Sequence, residues 1–125
     1  MIERLVFLLA SWAAVTVGQP APPQVKNQLA GCVQVVLDAP EQRQNLLLVS
    51  AQLTVSRSIG TCGCTSGGIR YRSYETFQGR QRQMNAGVLN SVPRVGKPTA
   101  VLLVLNPDTE VYRTPPYRVV LSCEE

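Results

Sequence analysis

The chain has 125 residues, room for one domain, and carries 12 basic against 8 acidic side chains for a net charge of +4. It contains no histidine, which excludes Ser-His-Asp and Cys-His catalysis and any His-ligated metal site. The basic side chains are scattered, without the dense cluster and interleaved aromatics of a nucleic-acid binder, so nucleic acid is not an expected partner.

Met1-Ile2-Glu3-Arg4 is followed by an apolar run from Leu5 to Val17 that is too short to span a bilayer and ends in small residues. Residues 1–18 therefore read as a cleavable signal peptide, with Thr16 and Gly18 small enough for the two specificity positions of the cleavage site. Removing them leaves 107 residues and the same net charge, near the usual size of a single β-sandwich. The predicted location is the periplasm or the outside of the cell. The stretch 19–28, rich in proline and glutamine, reads as a flexible leader, which starts the domain near Leu29.

Cys32-Val33-Gln34-Val35-Val36-Leu37 is dense in β-branched residues and stopped by Asp38-Ala39-Pro40, so it reads as the first strand. Leu47, Val49, Ala51, Leu53 and Val55 alternate with Leu48, Ser50, Gln52, Thr54 and Ser56, the two-residue period of a strand with one buried face. Beyond a glycine-rich loop, Ile69–Phe77 and Arg80–Leu89 flank Gln78-Gly79, a two-residue hairpin turn. In that register Ile69 faces Val88, Tyr71 faces Ala86, Ser73 faces Met84 and Glu75 faces Arg82. The reading places Tyr71, Phe77 and Val88 toward the core and Arg70, Arg72, Tyr74 and Thr76 toward solvent. The apolar run Thr99–Leu105, ended by Asn106-Pro107-Asp108, predicts a central strand. Tyr117, Val119, Leu121 and Cys123 alternate with Arg118, Val120 and Ser122 in the last strand.

Six strands separated by turn signals, with no helical period in the mature part, predict an all-β fold over 29–125. The expected form is an immunoglobulin-like antiparallel β-sandwich of six to seven strands, with a small barrel as the alternative. If consecutive strands reverse, Cys32, Cys62, Cys64 and Cys123 meet at one end, and an even number in a small exported domain predicts two disulfides. Two connectivities suit this layout. Either the Cys62/Cys64 loop is tied to both terminal strands, or Cys32 joins Cys123 while Cys62 pairs with Cys64. The second would make Cys62-Gly63-Cys64 a candidate redox pair, since a tightly closed bridge is more easily reduced. No metal site or small-molecule cofactor is expected.

Arg70, Arg72 and Tyr74, joined by Arg118, form a candidate binding face for another envelope or secreted protein, with an anionic surface as the alternative partner. Asp38, Glu41, Asp108 and Glu110 read as solvated turn residues. These features predict a non-catalytic binding or assembly module of the periplasm or cell surface. The competing reading is a thiol–disulfide protein using Cys62 and Cys64.

Gly60 to Cys123, with Cys62-Gly63-Cys64, Ser66, a Tyr-containing strand after them and a lone cysteine ending the last strand, resembles a family of small exported bacterial proteins of unknown function. That family carries a Gly-Cys-Gly-Cys motif, in which Thr61 replaces the first glycine here. The layout is also similar to the periplasmic curli-assembly factor family, whose immunoglobulin-like domain restrains amyloid subunits. That resemblance implies an assembly or chaperone-like role and carries over only Cys62 and Cys64. Cys32 and Cys123 depart from its pattern.

Overall fold

A computed structural model describes residues 21–90 and 94–124; the segment 1–18 read as a signal peptide, with its expected cleavage site, lies outside them. Among the described residues eight strands run in chain order: β1 (Gln24–Asn27), β2 (Val33–Leu37), β3 (Glu41–Arg43), β4 (Leu46–Val55), β5 (Ile69–Phe77), β6 (Arg80–Leu89), β7 (Thr99–Asn106) and β8 (Tyr117–Cys123). One 3-10 turn, Ile59–Cys62, lies between β4 and β5. One sheet has the order β1-β8-β5-β6. In the other, β4 is central, with β2 and β3 paired to its two halves and β7 paired antiparallel to it. The two sheets pack as a β-sandwich, an all-β fold of the expected class. All strand pairs between neighbours are antiparallel except β1–β8, which is parallel.

The core comes from alternate residues of both sheets. Val49, Leu53, Leu103 and Leu105 from one meet Ile69, Val119 and Leu121 from the other, all at most 1 % exposed. Burial of each such side chain stabilises the fold by about 1.5–3 kcal/mol. The sandwich is also tied along both seams by side-chain amides that reach main-chain carbonyls of the facing sheet. Asn27 Nδ2 donates to Val33 O at 2.6 Å, joining β1 to β2, and Asn85 Nδ2 donates to Val104 O at 2.7 Å, joining β6 to β7. Ser73, fully buried, adds a bond from its hydroxyl to Leu105 O.

Five expectations are corrected. The segment read as leader contains β1, whose register on β8 pairs Gln24 with Arg118 and Lys26 with Val120, so the sheet begins before Leu29. Thr99–Leu105 is not central: among the described residues β7 pairs only with β4, and Leu102 on its outer side is 57 % exposed. The hairpin register holds from Phe77/Arg80 to Tyr74/Gln83 and then shifts by one residue at a β-bulge between Ser73 and Tyr74. Beyond the bulge Ile69 pairs with Leu89, Tyr71 with Gly87 and Arg72 with Ala86, so Val88 sits across from Arg70 and is exposed instead of buried. Phe77 has the inward parity of Tyr71 but lies past the end of the core, and it too is exposed. Tyr71 is buried as expected, with its ring laid over Gly87, where an added Cβ would fall 2.5 Å from Tyr71 Cε1.

Candidate functional site

Because Cα partners in a sheet project to the same side, the register fixes the outer face of β1-β8-β5-β6 row by row. In one row Lys26 lies beside Val120, Arg72 and Ala86; in the next Gln24 lies beside Arg118, Tyr74 and Gln83. A third row holds Ser122, Arg70 and Val88. Arg70, Arg72, Tyr74 and Arg118, the candidate face read from sequence, are thus neighbours on three adjacent rows and are all half-buried. Lys26 joins them as a fourth cation that the sequence reading left in the leader. Only the parallel pairing of β1 on β8 reveals it.

Among the described residues most acidic side chains are held elsewhere. Glu75 points inward, Glu41 pairs with Arg43 at the edge of the other sheet, and Asp108 and Glu110 sit in the β7–β8 loop. Glu124, just past the end of β8 and two residues beyond Ser122, accepts a hydrogen bond from Ser66 Oγ at 3.0 Å. Among the described residues none of the four cations is in an ion pair, and the one side-chain bond from them runs from Arg118 to Gln81 Oε1 at 3.4 Å.

The four cysteines meet at one end of the sandwich, as expected from strand reversal. Cys32 is bonded to Cys62 and Cys64 to Cys123, so the loop is tied to both terminal parts of the domain. Cys62 and Cys64 are not bonded to each other, which corrects the redox-pair reading: the short bridge it requires is not formed. Gly63 between them has φ +92°, a left-handed conformation that suits glycine and lets the two cysteines leave the loop toward different partners.

The opposite end is organised by polar groups whose role the sequence did not disclose. Glu75 is fully buried and forms an ion pair with Arg82, whose Nε donates to Glu75 Oε1 at 2.6 Å. Its second oxygen accepts from Thr114 N at 3.1 Å, fastening the β7–β8 loop to the sheet. The Arg82 guanidinium also stands over the rings of Phe77 and Tyr112, with centroid distances of 4.4 and 5.1 Å. Burial first, and the Glu75 carboxylate second, push the Tyr117 hydroxyl above its ordinary value.

A raised tyrosine favours the neutral hydroxyl in the folded state, so its contribution to stability is complete below about pH 10 and is lost as pH rises through the folded value. Thermal melts from pH 9 to 11.5 should therefore fall steeply for the wild type and less steeply for Tyr117→Phe. Equal slopes would show that Tyr117 ionises as freely folded as unfolded.

The chain matches, over residues 6–125, the family described as an uncharacterized protein conserved in bacteria (DUF2195). It belongs to that family. No curated protein and no solved structure matches it.

Proposed function

We propose that this chain is a non-enzymatic binding module of the bacterial periplasm or cell surface. Its contact surface is the outer face of β1-β8-β5-β6, and its partner is an anionic polypeptide of the envelope or of secreted material. The observation that carries the reading is the placement of Lys26, Arg70, Arg72 and Arg118 on adjacent rows of one face, with Glu41, Glu75, Asp108 and Glu110 placed elsewhere. Such a segregated field steers and holds a partner of opposite sign. Tyr74, Val88 and Val120 lie among the cations and supply the apolar contact that a protein interface needs and that a purely electrostatic surface lacks.

Two disulfides suit an oxidising compartment outside the cytoplasm. The non-enzymatic part of the reading is supported by the absence of histidine and by Glu75, a buried acid already committed to Arg82 and Thr114. An assembly role of the kind the curli-factor resemblance implies is the narrower form of this reading, with the cationic face holding the client.

The test is binding of the mature, oxidised protein to poly-L-glutamate. Affinity should fall between about 50 and 200 mM salt as the charges are screened. It should drop at least about tenfold in Arg70→Glu/Arg72→Glu, a change on the solvent side of the sheet that should leave the melting temperature close to wild type. Binding that ignores both salt and the double substitution would overturn the reading. Binding to phosphatidylglycerol vesicles without binding to polyglutamate would replace the polypeptide partner by a lipid surface.

A further inference from the structure

The end of the sandwich away from the disulfides is indented by a cleft of about 860 Å³ between the β3–β4 turn, the β7–β8 loop and the start of β8. Its volume falls in the range of small-molecule sites, roughly 300–1,000 Å³. Gln42, Gln44, Glu110, Tyr112, Arg113 and Tyr117 line it, with the buried Leu47 among the other residues of its wall.

The wall is held rigidly before any ligand arrives. Asn45 Nδ2 donates to Asp108 Oδ1 at 2.9 Å, while Thr109 Oγ1 donates to Asn45 Oδ1 at 2.8 Å, so the turn and the loop are locked together. Asn106, fully buried, donates to Tyr112 O and accepts from Asp108 N. Arg113 directs both Nε and one terminal nitrogen at Glu110 O, at 3.0 and 2.7 Å, which fixes the plane of its guanidinium. Pre-organisation of this kind removes part of the ordering cost of binding.

The chemistry of the lining selects the ligand class. One acid, Glu110, and one base, Arg113, sit on the same wall, so the cleft has no net charge to attract an ion. The Glu110 carboxylate engages no partner among the described residues. Among the lining residues Gln44, Glu110, Tyr112 and Tyr117 together carry both donors and acceptors, and the tyrosines also carry apolar ring surface. A ligand that answers such a lining is uncharged, dense in hydroxyls that both donate and accept, and apolar on its ring faces.

We propose that this cleft binds a neutral oligosaccharide, independently of the cationic face. The test is an NMR titration of the mature, oxidised protein with three probes: the tetramers of β-1,4-glucose, α-1,4-glucose and β-1,4-N-acetylglucosamine, each to about 10 mM, enough to saturate a site with a dissociation constant near 1 mM. At least one should produce saturable shifts in the amides of residues 42–45 and 109–113. Gln44→Ala and Arg113→Ala, both at exposed positions, should each weaken that sugar about tenfold or more with the fold intact, and Arg70→Glu/Arg72→Glu should leave it unchanged. No saturable shift with any of the three sugars would overturn the proposal. So would sugar binding indifferent to both cleft substitutions, or a neutral alanine-serine hexapeptide that occupies the same amides more tightly than every sugar.

Discussion

Replacing Cys62 and Cys64 together by serine is expected to unfold the domain at 37 °C. Each cysteine holds a different bridge, so this one pair of substitutions removes both. Cys32–Cys62 spans a sequence separation of 30 and Cys64–Cys123 one of 59. In the chain-entropy account, closing loops of these lengths stabilises the folded state by about 4 kcal/mol each. A domain of this size has only about 5–15 kcal/mol in total, so losing both leaves little or nothing. Cys64→Ser/Cys123→Ser, which frees the end of β8, and Cys32→Ser/Cys62→Ser, which frees the turn before β2, should each cost about half as much and remain folded at 25 °C. Urea unfolding followed by circular dichroism measures all three. Non-reducing peptide mapping of the wild type should recover Cys32 with Cys62 and Cys64 with Cys123. A folded Cys62→Ser/Cys64→Ser variant with nearly the wild-type midpoint would mean that these two residues pair with each other, because a bridge across one residue constrains the unfolded chain little.

The cysteine end shows what a sequence can and cannot carry. Alternation in Leu47–Val55, Ile69–Phe77 and Tyr117–Cys123 was sufficient to place β4, β5 and β8 and to bring four cysteines together, because a half-buried strand writes its period into the chain. Connectivity stayed open between two alternatives, since four thiols at one end satisfy either. β1 and β3, of four and three residues, were not visible: they are too short for a period and exist through their pairing with β8 and β4.

The apolar run of Thr99–Leu105 pointed to a central strand, yet β7 keeps Leu103 and Leu105 inside and leaves Leu102 outside, so hydrophobicity there does not report two covered faces. The bulge that moves Val88 outward has no residue signature in Gln83-Met84-Asn85. For the candidate face, the β5 arginines were legible from parity alone, whereas Lys26 needed the sheet order. The cleft was not legible at all. Its parts come from turns 60 residues and more apart that only the finished fold brings together, and Asp108 and Glu110 read locally as solvated turn residues.

Glu75 was placed opposite Arg82 by the hairpin register, but the sequence did not say that it is fully buried, and burial decides the second large effect. Arg82→Met is expected to destabilise the domain by about 3 kcal/mol at pH 7, because it leaves a carboxylate inside the sandwich without its cation. The figure belongs at the low end of the range for buried pairs, since the Arg82 side chain is 42 % exposed and water screens part of the attraction. The guanidinium's contacts with the Phe77 and Tyr112 rings are lost as well. Glu75→Gln should cost less, about 1–2 kcal/mol, because it keeps an oxygen for Thr114 N and leaves an arginine that can turn to solvent. Glu75→Gln/Arg82→Met should then recover more than half of the Arg82→Met loss, as it removes the uncompensated charge while retaining the bond to the loop. A double-mutant cycle of urea unfolding at pH 7 supplies the numbers. An Arg82→Met cost below about 1 kcal/mol, the value of an exposed pair, would show that water reaches Glu75 and that the loop at Thr114 is fastened by something other than this carboxylate.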